Sequence, residues 1–168
     1  MKFFTGLGDV VVAYPEYDKV ARLSHPQVWE FTKYCLSVKP KGEFANPQDF
    51  ELALLHRWRE HLIIVDDVAD IGELRYRYYG ADVVAFTGFD MTGRLVRDFD
   101  SEAGRFLDRL YRKCLSEKIL IHSEHYRVHA RGRGALHRVL CPVRDGEQTY
   151  VVTCFYPIPR DAEPAERP

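Results

Sequence analysis

The spacing of apolar and polar positions divides the chain into a helical first part, a mixed middle and a strand-rich end. Residues 1–25 hold one short apolar run, Val10-Val11-Val12, and a Tyr14-Pro15 break, and read as an irregular arm. Ser24 and Gln27 have capping-box spacing, and Pro26 suits an early helical position, where its missing N–H costs nothing. A helix over about 25–37 then buries Val28, Trp29, Thr32, Cys35 and Leu36. Asn46-Pro47 opens a second helix, with Phe50, Leu54 and Trp58 at four-residue steps. From Leu62 the preference turns to strand. Leu62-Ile63-Ile64-Val65 is β-rich, and Leu74, Tyr76 and Tyr78 alternate with Arg75 and Arg77, so an antiparallel hairpin is predicted through Gly72. Residues 80–97 read as brief helices and turns. Ser101 then caps a long helix whose stripe is Ala103, Phe106, Leu107, Leu110, Tyr111 and Cys114.

The last third reads as three strands whose register follows from their turns. Asp145-Gly146 is a two-residue hairpin turn of the kind that needs positive φ, and Gly132 with Gly134 marks the turn before it. Arg144 then lies opposite Glu147, and Arg131 opposite Gly134. One row holds Val128, His137 and Cys154, the next Tyr126, Val139 and Val152, and a third Glu124, Cys141 and Tyr150. Alternation puts all nine on one face, the predicted core. The other face carries Arg127, Arg138 and Thr153 among Leu136, Leu140, Val151 and Phe155, and reads as half polar.

Strands at both ends of a helical middle argue for an α+β fold rather than a parallel βαβ arrangement. Three stretches go further: Leu74-Arg75-Tyr76-Arg77-Tyr78-Tyr79-Gly80; Thr87-Gly88-Phe89-Asp90-Met91-Thr92-Gly93 leading to Asp98-Phe99; and Leu140-Cys141-Pro142-Val143-Arg144-Asp145-Gly146. With them the chain resembles a family of PAS-like sensor domains common in alphaproteobacteria. The resemblance implies a PAS-like five-stranded antiparallel sheet with helices packed on one face, plus N-terminal helices. It spans 26–156, leaving 1–25 as an arm and 157–168 as a polar, proline-containing tail expected to be disordered.

Composition narrows the function classes. The 168 residues include 24 Lys and Arg against 25 Asp and Glu, a net charge of −1 that excludes a globally basic nucleic-acid binder. No run approaches the ~18 apolar residues of a membrane span. The N-terminus has no secretory apolar core and the four cysteines no Cys-x-x-Cys pair, so a cytoplasmic protein with reduced thiols is expected.

Candidate chemistry is sparse. A His137–Cys154 pair could activate a thiolate, although two core residues sharing a face is the simpler reading. In that register Glu124 lies roughly 13 Å along the strand from the His137 row, too far to orient it. Among His122, His125 and His129, the first lies on the opposite side of its strand from the other two, which disfavours a metal centre. Haem, which some PAS-like domains hold through an axial histidine, would have to use His137, the one histidine placed facing the core; a satisfied core histidine is the simpler reading, and the cofactor is unknown. Residues 101–145 carry ten Lys and Arg against five Asp and Glu. Because Arg105, Arg109 and Arg112 lie off the helix stripe, a solvated face or an acidic protein partner explains this excess, and nucleic acid is disfavoured.

The aromatic residues offer a ligand pocket instead, assigned to Tyr76, Tyr78, Phe86, Phe106, Leu110, Tyr126, His137, Val139, Val152 and Cys154; Phe89 and Tyr150 belong to the same aromatic group. No catalytic or metal residue is assigned. The expected function is a stand-alone sensory or interaction domain without catalysis, in which a small molecule shifts the packing of sheet and N-terminal helices. A protein partner or a homodimer would read the change, with Trp29, Phe31, Leu136, Leu140 and Phe155 as candidate dimer surfaces. Two alternatives remain: a small α+β barrel enzyme of cyclase or isomerase type using a pocket His or acid, and a nucleic-acid adaptor.

Overall fold

The computed structural model describes residues 2–5, 10–14, 25–98, 102–129 and 132–158, with side chains at 25–98, 105–123 and 136–158. In chain order the elements are β1 (Lys2–Thr5), β2 (Val10–Tyr14), α1 (Pro26–Val38), β3 (Leu62–Val68), β4 (Glu73–Tyr79), α2 (Ala81–Thr87), α3 (Glu102–Glu117), β5 (Leu120–His129), β6 (Gly132–Asp145) and β7 (Gln148–Ile158). The fold is α+β. Its centre is the expected five-stranded antiparallel sheet, β5-β6-β7-β3-β4.

The segment read as an irregular arm departs from expectation. It supplies β1 and β2, which extend the sheet to seven strands, β2 running parallel to β5. At the other end β7 continues to Ile158, two residues into the segment read as tail, while 159–168 lie outside the described residues. No helix among the described residues is long and apolar enough to cross a membrane.

Each C-terminal hairpin turns at a different point from the one its glycines indicate. Gly146, at φ +58°, occupies the first rather than the second loop position, and Asp145 pairs with Gln148. In the β5–β6 hairpin His129 pairs with Gly132 and Arg127 with Gly134, which puts both glycines inside the strand. Both displacements move partners by an even number of residues. The side chains therefore keep their predicted faces while every row changes: His137 pairs with Glu124 and Tyr156, and Cys154 with Val139.

Both faces are buried. On one, α2 and α3 cover Ile63, Val65, Leu74, Tyr76, Ile121, Leu136, Leu140, Val151 and Phe155. On the other, α1 and the 45–58 segment cover Leu62, Ile64, Leu120, Val139, Cys141, Val152 and Cys154. The face read as half polar is thus a core, and Arg138 and Thr153 are buried inside it. A β-bulge between Ile64 and Val65 makes Tyr76 and Tyr78 opposite neighbours of consecutive β3 residues, so the two tyrosines face opposite sides.

Local chemistry explains the helices. The α3 stripe of Phe106, Leu107, Leu110, Tyr111 and Cys114 is buried as predicted. α1 buries Val28, Phe31, Thr32 and Cys35, the spacing of one helix face, and its N-cap is His25, whose side chain accepts from the Gln27 N–H. Ser24 lies outside the described residues. The second predicted helix does not form. Pro47–Phe50 is a single 3-10 turn, because Glu51 is extended at ψ 133°, and the chain continues through turns to another at Arg59–His61. Phe50 and Trp58 still pack edge-on against Phe31, whereas Leu54 is exposed.

Candidate functional site

The face beneath α1 holds the chemically distinctive side chains. Thr32 interrupts the apolar stripe of α1. Its hydroxyl donates to the Val28 carbonyl at 2.7 Å and lies 2.9 Å from His122 Nε2. His122 Nδ1 lies 2.7 Å from His137 Nε2, and His137 Nδ1 accepts the His25 backbone N–H at 3.0 Å. Both imidazoles are fully buried.

The two ends fix the direction of this chain. A backbone N–H can only donate, so His137 Nδ1 is an acceptor and its proton sits on Nε2. That proton points to His122 Nδ1, which leaves the His122 proton on Nε2, aimed at the Thr32 oxygen. Thr32 spends its own proton on Val28. Every bond runs the same way, from His25 to Val28, and both rings are neutral Nε2–H tautomers. Trp29 stacks on His122 with ring centroids 4.4 Å apart and meets His137 edge-on at 5.9 Å.

A second group lies at the start of α1. His25 stacks on Tyr156, which stacks on His61, and His61 Nε2 lies 2.9 Å from Asp82 Oδ2. Burial lowers the His25 pKa, assisted by repulsion from His61. Burial likewise lowers that of His61, against the opposing pull of Asp82. Tyr156 is pushed well up, chiefly by burial.

Further along the same face an open cleft of about 550 Å³ lies between the sheet and the 47–52 segment. Phe50, Leu52, Ile64, Tyr78, Tyr150 and Pro47 form its apolar walls, and Gln48, Glu51, Arg77 and Asp145 its polar points. Arg77 pairs with Asp66 and lies over the Tyr150 ring, 4.3 Å from its centroid. Burial raises the Tyr150 pKa, and Arg77 partly offsets this.

The ten residues assigned to one pocket are divided by the sheet. Tyr76, Phe86, Phe106 and Leu110 lie on the α3 side, and Tyr78, His137, Val139, Val152 and Cys154 on the α1 side. The Tyr126 side chain lies outside the described residues. Of the nine whose side chains are described, Tyr78 alone lines the 550 Å³ cleft. Phe89, from the same aromatic group, is 39% exposed. Between α3 and the sheet, Tyr111, Tyr76 and Thr153 gather their hydroxyls beside Arg138, and burial pushes Tyr111 up to about 12.

Other expectations are corrected by burial and register. His137 does not face Cys154, whose thiol burial raises well above its ordinary range, as it does for Cys35 and Cys114. Such thiols are inert packing groups at neutral pH. Glu124 is directly across from His137 rather than two rows away, although its side chain is not described. Arg138 is buried and so leaves the solvated basic face, where Arg105, Arg109 and Arg112 stay exposed. Phe31, Leu136, Leu140 and Phe155 are buried within the domain and present no dimer surface. Among the described residues no three His, Cys, Asp or Glu side chains converge for a metal ion.

His122, Thr32 and His25 went unassigned as site residues. His122 has the parity of Tyr126 and Val128, the β5 residues read onto the His137 face, but it was not itself placed there, and the displaced turn kept the two rows apart.

No family model matches the chain, and no curated protein matches it. Solved structures similar to it include one described as "Structure of an RNA-binding Light-Oxygen-Voltage Receptor", at 17% identity and a TM-score of 0.48, covering 66% of this chain and 33% of that one. This chain thus spans about a third of that receptor's length. RNA binding is stated of that receptor and is not carried over to this chain.

Proposed function

We propose that the chain is a PAS-like sensory or interaction domain, without catalysis of its own, that takes a small molecule in the cleft between the sheet and the 47–52 segment. The cleft carries this reading. Its volume of about 550 Å³ lies within the ~300–1,000 Å³ of small-molecule sites, and its walls are apolar with a few fixed polar groups. Arg77 is held by Asp66, whereas Glu51 and Asp145 stand at the lining with no ion-pair partner among the described residues. A neutral or cationic molecule with an apolar body fits that balance better than an anion.

The cleft shares Phe50 with the aromatic group that anchors α1, since Phe50 packs against both Phe31 and Tyr34. A ligand that prefers one position of the 47–52 segment therefore favours one position of α1, and a protein partner or a second copy of the chain reads the difference as a population shift. The enzymatic alternative calls for a pocket His or acid, and its histidine form would need an imidazole nitrogen available to substrate. Both nitrogens of His122 and of His137 are instead spent in the hydrogen-bond chain.

The test is a thermal-shift and native mass spectrometry screen of neutral and ammonium-bearing amphipathic molecules. A ligand at 100 times its Kd stabilises the folded chain by about 2.7 kcal/mol. Gln48→Trp, at an exposed lining position, fills the cleft and abolishes that gain. Absence of any binder, or binding indifferent to Gln48→Trp, contradicts the reading.

A further inference from the structure

We propose that the hydrogen-bond chain from His25 through His137 and His122 to Thr32 is a proton-sensitive latch: one proton taken up by either buried ring reverses a donor and releases α1 from the sheet. The proposal rests on α1 as the moving element of the sensory reading, but it requires no small molecule.

The latch follows from the count of donors and acceptors. In the neutral chain each ring uses one nitrogen to donate and one to accept, and the bonds close at 3.0, 2.7 and 2.9 Å. A protonated imidazole has two donors and no acceptor. On His137 the added proton must sit on Nδ1, facing the His25 N–H. On His122 it must sit on Nδ1, facing the His137 Nε2–H. Each case sets N–H against N–H in a fully buried place, so the bond across that contact cannot persist as it stands.

The contact most easily opened is the one to α1. β5 and β6 are joined by a continuous backbone ladder, while among the described residues α1 meets the rings through Thr32, the His25 N–H and the Trp29 ring. His25 adds to the effect, because its own Nδ1 accepts from Gln27 N–H at 3.2 Å and loses that cap when protonated. Histidine is the side chain whose ordinary pKa lies nearest neutrality, so acidification is the perturbation to which this chain would answer.

The groups around the rings set the balance. α1 offers the Thr32 hydroxyl and the Trp29 ring, and β7 offers Cys154 and Tyr156. His61 stacks behind Tyr156, with Asp82 of α2 on its far side and Arg57 acting on the tyrosine. The described groups on these elements that touch the rings are thus neutral, and the His61–Asp82 pair stands one ring further out, behind Tyr156. On β5, Glu124 is the register partner of His137; on β2, Val12 pairs with His122.

Two measurements test the latch on the ligand-free full chain. The first is ¹⁵N NMR of the histidine rings at about pH 7.5. Both His122 and His137 should be neutral Nε2–H tautomers; an imidazolium or an Nδ1–H tautomer at either overturns the proposal. The second follows Trp29 fluorescence in a Trp58→Phe background as pH falls from about 7.5 to about 5.5. Release of α1 moves Trp29 off His122 and red-shifts its emission. His122→Gln with His137→Gln retains the donor and acceptor order, amide oxygen for Nδ1 and amide nitrogen for Nε2, without a titrating group, and should abolish the red shift. An unchanged wild-type spectrum, or the same shift in the double variant, overturns the latch. If the double variant does not fold, the NMR assignment and the wild-type titration still decide. A failed ligand screen leaves these outcomes untouched, and a failed titration leaves the cleft untouched.

Discussion

Gly80 shows how a single position can be required for a reason its sequence context does not reveal. It sits between β4 and α2, where a glycine reads as permission for the chain to turn. Its φ of −61° is open to any residue. What excludes a side chain is space: a Cβ there would lie 2.2 Å from the Glu60 carbonyl oxygen and 2.5 Å from its carbon. Backbone cannot rotate away as a side-chain tip can. Gly80→Ala should therefore cost about 1–3 kcal/mol in urea unfolding, as overpacking does, while Gly42→Ala, in open space, should cost only what its φ of +69° imposes. Thr32 makes the complementary case. Thr32→Val keeps the shape but leaves the buried His122 Nε2–H without its acceptor, at a cost of about 1–3 kcal/mol. Thr32→Ser keeps the oxygen and should retain most of that stability. Equal losses in the two variants would remove the hydroxyl from the account. Neither the Glu60 approach nor the Thr32 contact is visible in local sequence, because each joins segments far apart in the chain.

Elements with strong local signals were legible; those set by turns or by tertiary contacts were less so. α1, α3 and the β3–β4 hairpin follow from periodicity, and the α3 stripe is buried residue for residue from Phe106 to Cys114. The face of each C-terminal strand was legible too, since parity survives a turn displaced by one position, as between β6 and β7, or by two, as between β5 and β6. The rows were not, and with them went the pairing of His137. Nor was the division of the pocket residues, because a β-bulge in the β3–β4 pair leaves no mark in a pattern of alternating tyrosines. At this scale α1 also carries a pH prediction. Burial holds the folded-state pKa of His25 and of His61 below the ordinary 6.5. Between 6.5 and those depressed values the unfolded chain binds more protons than the folded one, so stability falls as pH drops through that window and is level above it. His25→Asn supplies a non-titrating N-cap and should flatten part of the fall in the urea midpoint. A midpoint that does not change on acidification would contradict the sign.

For the whole molecule, the order of elements was enough to read an α+β fold with a five-stranded antiparallel core, because helices between two sets of strands leave few ways to bury both. The same order did not reveal that the sheet is covered on both faces. That is a property of α1 and the 45–58 segment folding back over strands more than 80 residues later, as the Thr32–His122 contact illustrates. Double coverage gives the domain two interiors of different character. The α3 side is a packed core with a small polar group around Tyr111, while the α1 side carries the open cleft and the imidazole chain. The central claim is that α1 is the element through which this domain responds. Hydrogen exchange followed by mass spectrometry, segment by segment and corrected for intrinsic rates, tests it directly at about pH 7.5 and about pH 5.5. The account predicts that 26–38 loses protection on acidification while 105–117 and 148–158 keep theirs. Retention of protection in 26–38, or its loss together with the sheet and α3, would contradict it.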